Sequence, residues 1–289
     1  MKTTRQIALA TVGVALAFVF GCNSDSKQDV YYMIAANVQL PYWQTAANGF
    51  KKAATQYQVT ANVVGPNTYD PLGELDALQQ AVRAHPAGIL ISVADAGILQ
   101  RELDVAVQSG IPLITMDSDA PVTRRLYFIG TNNLEAGRLS GSRLIEKLTK
   151  GNVAVFTIPG QPNLEDRLRG LKETLGNQSS LKVTDIVDIK GDTNVAFDKA
   201  QQLVAQSGAK KIDAFVCLEA VSGKPVADAL KRANAHDREV ISWDAEPATL
   251  DDRRPGGDEL LPFLDAIHLP AARSDRVEPP RGDEDRSLG

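Results

Sequence analysis

The chain has 289 residues and a formal net charge of −5, with 43% hydrophobic and 23% charged residues. These proportions are those of a globular protein with one large domain or two of ordinary size. A net negative charge without a clustered basic face argues against nucleic acid as a partner.

The first 22 residues have the pattern of a secretory signal. Lys2 and Arg5 give a basic start, Ile7 to Phe20 form an uncharged apolar run, and Gly21 precedes Cys22. A basic start, a short apolar core and a small residue before the cut define such signals. The run is also short for a membrane span of about 20 residues. The segment resembles a bacterial lipoprotein signal, in which Cys22 is lipidated and becomes the N-terminus; an uncleaved anchor helix is the alternative.

Either interpretation predicts that the body of the chain works outside the cytoplasm. Residues 23–29 are polar and predict a tether between Cys22 and a folded body. If Cys22 carries lipid, Cys217 has no disulfide partner, and its place in an apolar run predicts a buried thiol. Stability must then come from core packing.

From residue 30 onward, apolar runs of strand length alternate with stretches of helical periodicity. Most runs are continuous and β-branched, as in strands that are buried on both faces of a parallel sheet. The alternation predicts an α/β fold built from open parallel sheets. The predicted strands are Val30–Ala36, Thr60–Val64, Gly88–Ser92, Pro112–Asp117, Leu126–Gly130, Val153–Ile158, Val183–Val187, Ile212–Leu218 and Glu239–Asp244.

Two of the intervening stretches carry distinct helical patterns. Apolar residues recur every three or four positions from Leu72 to Val82, which predicts a helix with one buried face. In a later stretch, Gly137 and Gly141 lie one turn apart. Because glycine has no side chain, we expect these two residues to let their helix lie close to a sheet.

The composition changes after Leu250. Residues 251–289 are rich in charge and proline; only Leu260–Leu269 carries apolar residues, and Pro262 and Pro270 interrupt it. Such a segment buries too little apolar surface to offset the roughly 1–2 kcal/mol per residue that ordering a backbone costs. The sequence therefore predicts a disordered, atypical tail without strands, for which a frameshift or truncation is a hypothesis.

The polar and aromatic residues that follow the predicted strands form a candidate site. In open α/β sheets, ligands bind outside the carboxyl ends of the strands. Each residue alone has an ordinary explanation: an Asp can cap a helix, an aromatic ring can belong to the core, and an Arg can lie on a solvated helix face. Their coincidence at one edge favours a binding site. The candidates are Asn37, Tyr42, Trp43, Ser92, Asp117, Ser118, Arg167, Glu219, Trp243 and Asp244.

These residue types suit a polyhydroxylated ligand. Carboxylates accept hydrogen bonds from vicinal hydroxyls, and an Arg donates a planar fork to ring and hydroxyl oxygens. Aromatic faces cover the apolar C–H faces of a sugar ring.

Six segments in chain order carry a resemblance to a known family. They are QLPYW (39–43), AGILIS (87–92), GIPLITMDSD (110–119), FIGTNNLEAGRLSG (128–141), RLRG (167–170) and VISWDAEP (240–247). They resemble segments of the periplasmic sugar-binding proteins of the ribose-binding type. The resemblance implies two doubly wound parallel-sheet lobes joined by a hinge, the periplasmic binding protein type I fold. The N-terminal lobe would span residues 30–130 and the C-terminal lobe residues 131–250, with an atypical or truncated C-terminal portion.

The resemblance also implies roles for the candidate residues. Tyr42 and Trp43 would sandwich a monosaccharide, with Asn37 nearby, and Trp243 would stack. Hydroxyl groups would be bound by a second set of residues, Ser92, Asp117, Arg167, Glu219 and Asp244. Leu40, Ser118 and the pair Glu219-Ala220 depart from the family's usual residues, which leaves the identity of the sugar open.

Three functions follow as hypotheses. The first is a monomeric, lipid-anchored periplasmic binding protein that delivers a sugar to an ABC permease, with no cofactor or metal. The second is a sensory subunit that presents the ligand to a membrane receptor kinase. The third is an extracytoplasmic sugar-processing enzyme that uses Asp117 and Asp244 as paired carboxylates. It is disfavoured because the chain has no Gly-x-Ser-x-Gly elbow, no metal-spaced cluster and only three His, so no catalytic residue is predicted.

Overall fold

The computed structural model describes residues 28–178, 180–243 and 264–267. Its strands and helices alternate along the chain, as the periodicity predicts. The strands are β1 (Val30–Ile34), β2 (Thr60–Val64), β3 (Gly88–Ile91), β4 (Leu113–Met116), β5 (Phe128–Ile129), β6 (Lys150–Thr157), β7 (Ser180–Asp188), β8 (Ala214–Cys217), β9 (Glu239–Trp243) and β10 (Leu264–Ile267). The helices are α1 (Pro41–Gln56), α2 (Pro71–Arg83), α3 (Ala96–Gln108), α4 (Asn133–Lys147), α5 (Pro162–Gln178), α6 (Thr193–Val204) and α7 (Gly223–Arg232).

The strands form two five-stranded parallel sheets, one in each lobe. The first has the order β2-β1-β3-β4-β5 and the second the order β7-β6-β8-β9-β10. Both sheets have the same doubly wound order. From the first strand of each lobe, the second strand is added on one side and the third on the other, and a crevice opens between the first and third strands. The predicted fold class is confirmed. The two crevices lie between β1 and β3 and between β6 and β8, and they position the site described below.

Each lobe has its own hydrophobic core. In the second lobe, the rings of Phe156 and Phe215 lie 6.2 Å apart between the helix layers, and Cys217 is fully buried beside them, as predicted. In the first lobe, Ile34 and Leu113 pack under α2 and α3, while Met33 on the other sheet face packs under α1. Burial of one such side chain contributes about 1.5–3 kcal/mol to stability. Each lobe therefore has the packed core that the sequence analysis expected to stabilise the protein.

The strand β10 corrects one prediction. Leu264–Ile267 pairs in parallel with β9, with Leu264 opposite Val240 and Ile267 opposite Trp243. The expectation of no strand after Leu250 is therefore wrong for these four residues, because the edge of β9 offers backbone hydrogen-bonding groups that a short segment satisfies despite its polar neighbours. The second sheet thus extends beyond the predicted lobe boundary at residue 250.

Other predictions fall on residues outside the described part. These residues include the signal with Cys22, most of the tether, Asp244 and the remainder of residues 251–289. The predicted disorder of that remainder stays a prediction. Within the described residues, no helix combines the length and apolar character that crossing a membrane requires.

Glu74 lies inside the first lobe, on the helix that the apolar spacing predicts. Leu72 at the start of that pattern is 63% exposed, whereas Glu74 is fully buried, and its Oε2 accepts a hydrogen bond from the backbone N–H of Ala94 at 2.9 Å. Burial raises the pKa of Glu74 well above its ordinary value, although the Ala94 hydrogen bond opposes this effect. Burial at this position therefore favours the neutral form of the carboxyl over the charged form.

Candidate functional site

A cavity of about 130 Å³ lies between the two lobes, where the loops after several strands of both sheets meet. Because the carboxyl ends of parallel strands share one edge of a sheet, two such edges face each other across this cavity. Its polar and aromatic lining consists of Asn37, Tyr42, Trp43, Tyr69, Asp117, Thr131, Gln161, Asn163, Arg167 and Glu219. The structure therefore brings together six of the ten residues that the sequence singled out: Asn37, Tyr42, Trp43, Asp117, Arg167 and Glu219.

The first turn of α1 supplies an aromatic wall. Pro41 occupies the first helical position, where its fixed φ favours helix initiation, and this start places Tyr42 and Trp43 at the cavity. Their rings meet edge to face with centroids 5.0 Å apart. Trp43 is only 6% exposed because its other side packs into the cluster of Met33 and Ala47. Trp43 is thus both a core residue and part of the cavity wall, so the two interpretations are not exclusive.

Asp117 is held at the cavity by an unusual backbone conformation. Its φ is +60°, in the left-handed region that non-glycine residues seldom adopt, and its N–H donates to the carbonyl of Ile129 at 2.9 Å. Of the two carboxylate oxygens, Oδ1 accepts from the Tyr42 hydroxyl at 2.8 Å and Oδ2 accepts from Asn163 Nδ2 at 3.2 Å. Such conformations persist where the surroundings hold them and are concentrated at functional sites.

Asn163 joins the two lobes. It lies in the first turn of α5, while Asp117 and Ser118 follow β4 in the first lobe. Besides the bond to Asp117, its backbone N–H lies 3.5 Å from the Ser118 hydroxyl. Asn163 is 4% exposed, and its Oδ1 has no hydrogen-bond partner within the described residues. An unpaired buried acceptor is costly, so a donor from a bound molecule would be favoured here.

Arg167 is buried rather than solvated, with 7% exposure. Its Nε donates to Asn133 Oδ1 at 2.9 Å and its Nη1 donates to the carbonyl of Leu218 at 2.7 Å. Its guanidinium lies 4.3 Å from the ring centroid of Trp243, a cation–π contact. These contacts fix a charged planar donor at the cavity. The sequence alone was also compatible with an Arg on a solvated helix face.

Glu219 is oriented by the loop that leads into α7. Its Oε2 accepts from the N–H groups of Val221 at 2.6 Å and Ser222 at 3.2 Å, and its Oε1 accepts from the Ser222 hydroxyl. A carboxylate is favoured at a helix N-terminus, where backbone N–H groups point outward. Glu219 also lines the cavity, so the start of α7 fixes a carboxylate at the cavity wall.

Three predicted residues lie behind the cavity wall. Ser92 and Ser118 are fully buried, and Trp243 is 2% exposed with its Nε1 donating to Ser140 Oγ at 3.2 Å. None of the three lines the cavity. Arg167, which lines the cavity, lies over the Trp243 ring, and the stacking of Trp243 on a ligand stays a prediction. Asp244, the tenth residue, lies outside the described part of the chain.

Four of the lining residues were not singled out from the sequence. Gln161 lies in the loop after β6, whereas Asn163 lies in the first turn of α5, one helical turn before Arg167, so Asn163 and Arg167 share a helix face. That spacing could have identified Asn163. Tyr69 follows β2 after a loop of four residues, and its hydroxyl donates to the carbonyl of Ala94 at 2.8 Å. Thr131 lies in the connection between β5 and α4, and no local signal distinguishes it.

Two doubly wound lobes with a polar and aromatic cavity between them define a two-lobed ligand-binding protein. The sequence model of the family described as "Periplasmic binding protein domain" matches residues 31–253, and the chain belongs to this family. It is similar to the ribose import binding protein of Escherichia coli, with 22% identity over 254 residues that cover 84% of this chain and 81% of the relative.

Solved structures give the same result. A sugar-binding protein of a sugar ABC transporter from Bacillus halodurans is 34% identical, has a TM-score of 0.67 and shares 77% coverage of each chain. A chain of the XylFII–LytSN complex is 26% identical with a TM-score of 0.74, over 78% of this chain and 83% of that one.

Proposed function

We propose that this protein is the extracytoplasmic binding protein of an ABC-type sugar importer and captures a monosaccharide between its lobes. The observation that carries the proposal is the composition of the interlobe cavity. Asp117 and Glu219 offer acceptors, Arg167 offers a charged donor, and Tyr42 and Trp43 offer aromatic faces. Such a set matches alternating hydroxyl and C–H surfaces. Related proteins with this fold bind ribose or belong to a sugar ABC transporter.

Ligand capture is coupled to closure of the lobes. Contacts such as Asn163 to Asp117 already join the walls at the cavity. The lobes also lie close together at two glycines in left-handed conformations. A Cβ on Gly191 of the second lobe would lie 2.6 Å from Tyr69 Cβ of the first, and one on Gly160 would lie 2.9 Å from Asp95 Oδ2. A ligand that contacts both lobes favours the closed state, which is the state an importer must recognise.

A monosaccharide panel tests the proposal through tryptophan fluorescence. We expect pentoses, hexoses or polyols to produce a saturable change that follows Trp43, because Trp43 lines the cavity and Trp243 does not. The Trp43→Phe variant should lose most of the fluorescence change, and the matched Trp243→Phe variant should retain it. Leucine serves as a control ligand without vicinal hydroxyls.

The proposal fails if calorimetry and fluorescence detect no binding of any sugar or polyol to the full-length wild-type protein. Release of a chemically changed sugar from the bound fraction would instead favour the enzyme hypothesis.

A lipid anchor at Cys22 is the second part of the proposal. The basic start, the apolar run and Gly21-Cys22 support it, as does membership of a family named for periplasmic binding. Stable attachment takes more than one acyl chain or a second membrane signal. Cys22→Ser should therefore move the monomeric protein from the membrane fraction to the supernatant while sugar affinity stays unchanged. Equally tight attachment of the variant would support the uncleaved anchor.

A sensory role is the alternative function. The similar protein XylFII was solved in a complex with LytSN, so one protein of this fold assembles with that partner. The same cavity would serve both roles. Neighbouring genes distinguish them: a permease and an ATPase support import, whereas a histidine kinase supports sensing.

A further inference from the structure

The backbones of helices α4 and α5 come into direct contact at two glycines, Gly137 and Gly170. A Cβ built on Gly137 of α4 would lie 2.0 Å from the carbonyl oxygen of Arg167, and one on Gly170 of α5 would lie 2.1 Å from the carbonyl oxygen of Leu134. Real Cβ atoms do not approach other atoms closer than 3.0 Å. The contacted atoms are backbone, so an added methyl group would have to move a whole helix by about 1 Å.

This contact corrects the expectation that Gly137 and Gly141 let their helix lie against a sheet. Both glycines face α5, since a Cβ on Gly141 would lie 2.7 Å from Thr174 Cβ on that helix. A helix can approach another helix this closely only where side chains are absent from both surfaces.

The contact lies at the cavity-lining Arg167. Gly137 touches the carbonyl of Arg167 itself, and Asn133, one turn earlier on the same face of α4, accepts from Arg167 Nε at 2.9 Å. That bond spans the two helices, so its length depends directly on their separation. If the two helices moved apart by about 1 Å, the 2.9 Å bond would exceed hydrogen-bonding distance, and Asn133 would no longer hold the guanidinium.

We infer that Gly137 and Gly170 are positioning residues for ligand binding, because their backbone contact sets where α4 presents Asn133 to Arg167. Neither glycine lines the cavity; each acts through Arg167. The inference rests on the proposed function for its effect on affinity. Because Arg167 lies over Trp243, the fluorescence emission of Trp243 gives the inference a second readout that needs no ligand.

The test compares Gly170→Ala with Gly176→Ala in the same helix of the full-length protein. A Cβ on Gly176 meets nothing within 4 Å, so this control gains helix propensity without a clash. We expect Gly170→Ala to weaken binding of the sugar found in the panel by about tenfold or more, and Gly176→Ala to leave it unchanged. In ligand-free Trp43→Phe protein, the emission of Trp243 should shift in Gly170→Ala and not in Gly176→Ala.

A folded Gly170→Ala protein with wild-type affinity and unchanged Trp243 emission would overturn the inference. If Gly170→Ala does not fold, Asn133→Ala decides, because it removes the α4 partner of Arg167 without touching the helix contact. We expect Asn133→Ala to show the same loss of affinity and the same Trp243 shift, and wild-type behaviour of this variant overturns the inference. If the wild type binds no sugar, the proposed function fails, and the ligand-free emission still decides the role of the glycines.

Discussion

Asp117→Gly is expected to abolish or strongly weaken sugar binding while the fold is retained. The carboxylate lies between the Tyr42 hydroxyl and Asn163 Nδ2, so its loss removes an acceptor for the ligand and a bond between the lobes. Each hydrogen bond to a charged group contributes about 1.5–3 kcal/mol, which corresponds to roughly a 10- to 150-fold change in Kd. Glycine is the informative replacement, because φ is +60° at this position and glycine adopts that conformation without strain.

Two companion variants separate the charge from the backbone conformation. Asp117→Asn keeps a side chain that tolerates the left-handed region and keeps one acceptor, so we expect an intermediate affinity. Asp117→Ala adds strain and should lower the melting temperature as well. Titration calorimetry and thermal melts on the three proteins measure both effects. Wild-type affinity in Asp117→Gly and Asp117→Asn would remove Asp117 from the binding site.

Arg167→Ala should produce the other large loss of affinity, and it should also destabilise the protein. The variant removes a charged donor from the cavity and leaves Asn133 Oδ1 and the carbonyl of Leu218 without their donor. A buried polar group that loses its partner costs about 1–3 kcal/mol. Arg167→Lys keeps the charge but lacks the planar fork, so we expect it to recover little of the affinity.

Arg169 provides the matched control on the same helix. Its side chain is 57% exposed and pairs with Asp166 one turn away at 2.9 Å. Exposed pairs of this kind contribute about 0–1 kcal/mol. Arg169→Ala should therefore leave sugar affinity and melting temperature close to those of the wild type. Equal effects of the substitutions at positions 167 and 169 would contradict a specific role of Arg167.

The fold was largely predictable because its signal is local. Strands that are buried on both faces need continuous apolar residues, and the helices between them need a period near 3.6. The run around residues 212–218 shows this directly, since Ala214–Cys217 is completely buried in β8. The strand Leu264–Ile267 was not predicted, because its order comes from pairing with β9 and not from its own composition.

The candidate site was predictable to the extent that strand ends determine it. Asn37, Asp117 and Glu219 follow strands and reach the cavity, because parallel topology gathers strand ends at one edge. Trp243 also follows a strand, but it lies behind Arg167. Strand order indicates which edge a residue occupies, whereas side-chain packing decides which residues face the cavity.

By itself, therefore, the sequence determined the alternation of strands and helices, the parallel sheets and the edge that carries polar residues, because these depend on neighbours within a few positions. Only the tertiary structure decided that Asn163 meets Asp117, and that Gly137 and Gly170 bring two helices into contact beside Arg167. Such contacts join residues 30 or more positions apart. Their geometry depends on how whole helices and lobes pack, and no local pattern in the chain records it.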